Sequence, residues 1–210
     1  MGIISGWARL AVLAGALALT GCVTTENTLS PDDVASMRLA GVTVGFAPDA
    51  FVQWEDGFRA YATAKSIPDD QIAAATNTQE CKEYVKNLLA PKLRAGIERA
   101  LAGQLNGSRP VRLEVTMRRL DMPSAVQRIL IGGDRGMVGD ARLVDARTGA
   151  VIIATPGVST VMHTGQGVAG TLIQAAFDSN SERSPVDKVF DNFGQTYRDW
   201  LLRDRGVFAR

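Results

Sequence analysis

Near the C-terminal end of the chain, apolar side chains recur every three or four residues, which is the spacing of one face of an α-helix. The stripe comprises Val186, Val189, Phe190, Phe193, Tyr197, Trp200 and Leu201. The opposite face is charged, so this helix must dock on another apolar surface and is not built to enter a membrane. Ser184 followed by Pro185 predicts its start, with Asp187 in the first turn.

Alternating stretches predict the sheet on which this helix docks. Apolar residues at 111, 113, 115 and 117 alternate with polar ones, which is typical of a strand with one buried face. Further strand-like runs occupy 39–46, 136–145 and 151–162. The residues from Asp145 to Gly149 between the last two runs have the composition of a hairpin turn.

Several helices are predicted between and after these strands. A short helix is predicted to start at Ser30. The longest helix is predicted to start with Asn77 as its cap and Glu80 as the acid of a capping box. It should kink or split at Pro91 and end at 106–107. The segment 165–177 is predicted to be helical, whereas 124–131 is ambiguous between helix and strand. Aromatic residues at helical spacing in the otherwise unassigned 47–76 segment predict core positions or, alternatively, a partner-facing patch: Phe51, Trp54, Phe58 and Tyr61.

Together these elements predict an α+β fold, with one largely antiparallel sheet of about four strands and helices packed on one face. We expect a single domain over residues 39–210. The formal net charge of +1 gives no support for binding nucleic acid. The single histidine excludes the common multi-histidine metal centres, and we predict neither a metal nor a cofactor.

The first residues carry a targeting signal. The apolar run 10–19 is too short to span a bilayer and has the length of a signal-peptide core. The residues Leu19-Thr20-Gly21-Cys22 that follow resemble the lipobox of bacterial lipoproteins. The resemblance implies a signal peptide at 1–21, a lipidated Cys22, and a tether over 22–38. An ordinary secretory signal and a retained anchor helix are the alternatives.

The lipoprotein resemblance also implies a location. Val23 in place of aspartate after the cysteine points to the outer membrane, with the protein facing the periplasm or, alternatively, the cell surface. After lipidation only Cys81 would remain, and its spacing with Tyr84, Val85 and Leu88 predicts a buried position on a helix. An intermolecular disulfide is the other interpretation of this odd thiol.

The mature part of the chain resembles small bacterial envelope lipoproteins of unknown function. The residues concerned are Gly132, Gly133, Gly136, Gly139, Leu143, Asp145, Thr148 and Gly149. Their domain is similar to periplasmic modules such as the amino-terminal domain of the Tol–Pal translocation protein. The resemblance covers about residues 39–177 and transfers no functional residue beyond Cys22.

Patterns associated with enzymes are present only in incomplete form. The segment 165–170 matches GxGxxG but lacks a following strand, so close backbone packing is predicted there. The glycine-rich segment 132–139 is not a P-loop, although its backbone amides could bind an anion. His163 lacks a suitably placed serine. Three carboxylates could act as an acid/base pair on glycan, and three arginines mark a solvated strand face or a site for an acidic partner: Asp134, Asp140 and Asp145, and Arg112, Arg118 and Arg119.

The sequence therefore predicts a lipid-anchored, non-enzymatic envelope lipoprotein that binds or helps to assemble envelope components. Its expected partners are the membrane, through Cys22, and an envelope protein or further copies of itself. A periplasmic cell-wall hydrolase or a glycan-binding protein is the alternative.

Overall fold

The computed structural model describes residues 25–165 and 167–203. Within these ranges it contains seven α-helices and four β-strands, with one 3-10 turn at Asp69–Gln71. In chain order the elements are α1 (Pro31–Ser36), β1 (Met37–Trp54), α2 (Glu55–Lys65), α3 (Ile72–Ala75), α4 (Gln79–Leu101), β2 (Arg109–Met122), α5 (Ala125–Leu130), β3 (Arg135–Asp145), β4 (Val151–Met162), α6 (Gly167–Ser179) and α7 (Pro185–Leu201).

The four strands form one sheet in the order β1-β2-β3-β4. The β2–β3 and β3–β4 pairs are antiparallel, and the β1–β2 pair is parallel because the α2–α4 segment carries the chain back across the sheet. The predicted α+β class and its largely antiparallel sheet are confirmed. The strand expected at 39–46 is longer than predicted, since β1 continues through an irregularity between Phe46 and Phe51 to Trp54.

Helices α4 and α7 pack side by side against the sheet and enclose the core. All seven residues of the C-terminal stripe are buried, as are the predicted inward positions of β2. The two helices approach closely at Gly96 and Gly194, where a Cβ atom on Gly194 would lie 3.0 Å from the Gly96 carbonyl oxygen. Larger residues at these two positions would push the helices apart.

The boundaries of α4 differ from the prediction. Its cap is Thr78 rather than Asn77, because the Thr78 hydroxyl accepts a hydrogen bond from the Cys81 amide at 3.2 Å. The helix ends at Leu101, before the predicted 106–107. Pro91 neither splits it nor interrupts its assignment. Both Pro91 and Asn87, whose carbonyl loses its helical donor, face solvent, where water can satisfy that carbonyl.

The aromatic residues in the previously unassigned segment do not share one helix. Phe51 lies on β1 and is 48% exposed, so the expected core position is wrong for this residue. Trp54 caps α2, and Trp54 and Tyr61 are buried while Phe58 is partly buried. The helical spacing was coincidental across the strand–helix junction.

The polar segment before α1 is bound to the domain rather than free. The Trp200 indole N–H donates to the Thr25 carbonyl at 2.9 Å, and the Asn27 side-chain amide donates to the carbonyls of Trp200 and Leu201. Leu29 is buried in the core. The tether interpretation is therefore wrong for 25–29, which is held at the C-terminal end of α7.

The turn between β3 and β4 has the predicted chemistry. The Asp145 carboxylate accepts hydrogen bonds from the amides of Thr148 and Arg147 and from the Arg109 guanidinium, at 3.0–3.1 Å. Gly149 has a positive φ of 74°, which glycine adopts without strain. The Thr148 amide, then Arg109 and the Arg147 amide, lower the pKa of Asp145 to about 2.

We expect Asp145→Asn to lower the thermal midpoint at neutral pH and to lose this effect in acid. A carboxylate with a lowered pKa in the folded state contributes stability above its unfolded pKa, near 3.8, and this contribution is lost as pH falls through about 2. The difference in midpoint between wild type and variant should be constant from neutral pH to about pH 5 and shrink between about pH 4 and 2. A difference that persists unchanged at pH 2 would contradict this account.

Candidate functional site

Helices α5 and α6 lie against each other and expose an apolar surface. We define the α5–α6 surface as Val126, Leu130, Ile131, Val168, Leu172 and Ile173, which are 59–84% exposed. On each helix the exposed residues are spaced four apart, at 126 and 130 and at 168 and 172, so each helix turns one apolar face to solvent. Contiguous exposed apolar patches mark docking sites in soluble domains.

This surface lies at one end of α7, and the N-terminal segment lies at the other. Near the start of α7, Lys188 contacts Asp178 of α6 at 3.2 Å. Near its end, the indole N–H of Trp200 donates a hydrogen bond to the Thr25 carbonyl. The twelve residues that separate Lys188 from Trp200 correspond to about 18 Å along the helix axis. Helix α6 is therefore held near the start of α7, at the end remote from the N-terminal segment.

Sequence reasoning missed this surface. The segment 124–131 was ambiguous, and it forms α5 with Ser124 as its cap. The segment 165–177 was correctly predicted as helical but not as exposed. The amino-acid composition of α6 could have indicated this surface. Val168, Leu172 and Ile173 occur in a helix with few polar residues, and a helix without a polar face must be covered by other groups on several sides.

The glycine string at 165–170 forms a tight structural turn. A Cβ atom on Gly165 would lie 2.0 Å from the Gly170 carbonyl oxygen, and Gly167 has a φ of 69°. No strand follows α6 in the described part of the chain, so the parallel βαβ unit required by a dinucleotide loop is not formed there. Close backbone packing, as predicted, explains Gly165 and Gly170, whereas Gly167 is explained by its positive φ.

His163 pairs with Asp134 in a solvent-exposed position. Its Nδ1 lies 2.9 Å from the Asp134 carboxylate, and its side chain is 90% exposed. The other Asp134 oxygen accepts from the Thr164 amide at 3.1 Å, and this bond, followed by His163, lowers the pKa of Asp134. The pair links the loop before β3 to the end of β4.

The three candidate carboxylates are too far apart to work as an acid/base pair. Asp134 precedes β3, Asp140 lies within it, and Asp145 ends it. At about 3.3 Å per residue, neighbouring members are about 17–20 Å apart, whereas glycan hydrolysis needs a separation of about 5–9.5 Å. Asp140 instead accepts from the Gly157 amide at 2.9 Å.

The predicted arginine face is paired with neighbouring acids. Arg112 contacts Glu114 at 2.8 Å, Arg118 lies 3.6 Å from Asp140, and Arg119 contacts Asp121. All three side chains are 39–55% exposed, so the arrangement matches a solvated face more closely than a preformed anion site. In the 132–139 string, Gly132 and Gly133 supply positive φ angles in the turn that leads into β3.

Only one of the two cysteines lies within the described residues. Cys81 is fully buried in the core, as predicted, and burial is the main cause that raises the pKa of its thiol. Cys22 and the rest of the predicted lipobox lie outside the described residues. No cluster of three or more potential metal ligands occurs within 25–165 and 167–203. None of the helices described there has the length and hydropathy needed to cross a bilayer.

No protein-family model matches this sequence, and no curated protein matches it. Among solved structures, a protein of Caulobacter crescentus CB15 provisionally described as a lipoprotein is 17% identical, with a TM-score of 0.30 over 55% of this chain and 83% of that one. The PelC dodecamer of Paraburkholderia phytofirmans is 13% identical, with a TM-score of 0.28 over 83% and 94%. Lipoprotein GNA1162 of Neisseria meningitidis is 20% identical, with a TM-score of 0.23 over 70% and 99%. Similarities at these TM-scores assign neither fold nor function to this chain.

Proposed function

We propose that this protein is a lipid-anchored component of the bacterial cell envelope that acts by binding protein through its α5–α6 surface. The observation that carries the proposal is the exposure of large apolar side chains on two adjacent helices, at the end of the domain remote from the N-terminal segment. Large apolar patches of this kind are rare on domains that work as isolated monomers.

The proposed anchor fixes the orientation of this surface. Two residues, Val23 and Thr24, separate Cys22 from Thr25, and the three residue steps span about 10 Å when fully extended. Because Thr25 is bound to Trp200, a lipidated Cys22 would hold the C-terminal end of α7 against the bilayer. The α5–α6 surface would then point into the adjoining compartment, where its partner is a protein rather than the anchoring membrane.

The compartment is inferred from the sequence. Val23 after the proposed lipidation site favours the outer membrane, with the domain in the periplasm. The α5–α6 surface is equally available to an envelope protein and to a second copy of this chain, and either gives an assembly role. The separated carboxylates on β3 favour this role over the alternative of a cell-wall hydrolase.

Charge placed on the α5–α6 surface is expected to prevent assembly without unfolding the domain. Burying an aliphatic side chain contributes about 1.5–3 kcal/mol, so Leu130→Glu and Leu172→Glu should each weaken association about tenfold or more. A photo-crosslinking residue at Leu130 of the full chain, in intact envelopes, should yield a discrete protein adduct. The same adduct should be strongly reduced when Leu172→Glu is also present.

Val151 provides a matched control for this experiment. It is an exposed aliphatic residue, at 49%, but it starts β4 at the opposite end of that strand from α6. A crosslinker at Val151 should give no discrete adduct, and Val151→Glu should leave the Leu130 adduct intact. The mass of the adduct separates self-assembly from a different partner. Equal labelling from both positions, or none from Leu130, would refute the proposed docking role.

A further inference from the structure

A small cleft beside α5 is lined by three buried side chains that carry N–H donors. They are Trp54 at the end of β1, Arg128 of α5, and Arg135 at the start of β3, and they are 7%, 4% and 6% exposed. The cleft has a volume of about 240 Å³. Arg128 lies two residues from both Val126 and Leu130, so its side chain leaves α5 on the face opposite the α5–α6 surface.

Donors in this cleft lack acceptors. In the part of the chain that the structure describes, Trp54 Nε1 and the Nε and Nη1 atoms of Arg128 are buried without a hydrogen-bond partner. Buried donors are normally satisfied, and an unmade hydrogen bond to a charged group is especially unfavourable. Three such atoms on two residues that line one cleft indicate that an acceptor from outside the chain belongs there.

The balance of charge specifies what kind of acceptor this is. The partly buried carboxylate of Asp178 already accepts from Arg135 at 2.7 Å and from Lys188 at 3.2 Å. Burial, and then the positive charge of Arg135, lower the pKa of Arg128, so its cation is under-compensated. Of the two acids that line the cleft, Glu55 is bound to Arg59 at 2.8 Å and Asp56 is exposed. The buried interior of the cleft therefore has an excess of positive charge.

We propose that this cleft binds an oxyanion group, a phosphate or a carboxylate, held by the guanidinium of Arg128 with Arg135 and the indole N–H of Trp54. The planar guanidinium presents paired donors that match both groups. The cleft is smaller than the roughly 300–1,000 Å³ of pockets that enclose drug-sized ligands, so it fits one anionic group rather than a large molecule. This site is distinct from the α5–α6 surface and does not depend on the proposed docking role.

The proposal is tested by thermal unfolding of the full-length protein in detergent, with phosphate or acetate replacing chloride at constant ionic strength. An anion that binds only the folded state stabilises it by RT ln(1 + [L]/Kd), so the midpoint rises with anion concentration. Arg128→Met keeps a long apolar stem and removes the charge, so it should abolish the anion-dependent rise. It should also raise the midpoint in chloride alone, since it removes an uncompensated buried cation.

Two further variants make the outcome decisive. Trp54→Phe keeps an aromatic ring but loses the N–H, and it should weaken anion affinity about tenfold. Arg119→Met removes an exposed arginine paired with Asp121 and should leave the anion effect unchanged. A rise with phosphate only or with acetate only identifies the group. No rise with either anion in wild type, or a rise that survives in both Arg128→Met and Trp54→Phe, would overturn the proposal.

Discussion

Trp200→Ala is expected to lower the free energy of unfolding by about 3–5 kcal/mol, as truncation of a large buried aromatic residue does. The Trp200 ring is 7% exposed and lies against Tyr197 with ring centroids 5.7 Å apart. Its indole N–H also donates a hydrogen bond to the Thr25 carbonyl. The loss should appear in denaturant titrations of the full-length protein as a lower midpoint with little change in slope.

Trp200→Phe separates the two contributions of this side chain. It keeps most of the buried ring and removes the hydrogen bond to Thr25, so its cost should be only about 0.5–1.5 kcal/mol. It should also increase amide hydrogen exchange near 25–29 without affecting the centre of α7. If Trp200→Ala leaves the midpoint unchanged, α7 is not docked as the structure shows.

The parts of the fold that the sequence predicted are those with strong local signals. Helix α7 combines an unbroken apolar stripe with Ser184 as cap and Pro185 in the first turn, and each of these depends only on nearby residues. The β3–β4 turn is likewise determined by Asp145 and Gly149, which act within five residues. Local hydrogen bonds and local periodicity agree at both places, and the prediction was correct.

The parts that were missed depend on contacts between distant residues. Asn77 and Thr78 are both competent caps, and the docking of α4 decides between them. Phe51 is exposed because β1 extends beyond its apolar run, which pairing with β2 determines. The oxyanion cleft could not be predicted, since Arg128 reads as an ordinary surface arginine until α5 is packed beside Arg135.

The N-terminal segment shows how a local prediction and a tertiary contact combine. Its polar composition predicted a short tether, but the Asn27 side-chain amide donates to the carbonyls of Trp200 and Leu201 at the end of α7. This docking leaves a two-residue spacer, Val23 and Thr24, between the domain and Cys22. A lipid on Cys22 would therefore hold the folded domain close to the bilayer, which makes lipidation decisive for the proposed function.

We expect Cys22→Ala to abolish acylation of the protein and to leave its signal peptide uncleaved. Each buried methylene contributes about 0.8 kcal/mol, and two or more acyl chains give stable anchoring, so anchoring of the mature protein depends on acylation. In bacteria grown with labelled palmitate, wild type should incorporate label and sediment with the membranes. The variant should remain an unlabelled, uncleaved precursor of higher mass.

Cys81→Ala is the matched control, because it removes the other cysteine while leaving the lipobox intact. Cys81 lies in the first turn of α4 and is fully buried, so it is inaccessible to an acyltransferase in the folded protein. This variant should incorporate palmitate and sediment as wild type does. Equal palmitate incorporation in wild type and Cys22→Ala would exclude Cys22 as the lipidation site and remove the anchored orientation of the α5–α6 surface. Loss of label in Cys22→Ala alone, with full label in Cys81→Ala, assigns the anchor to the residue that the lipobox resemblance identifies.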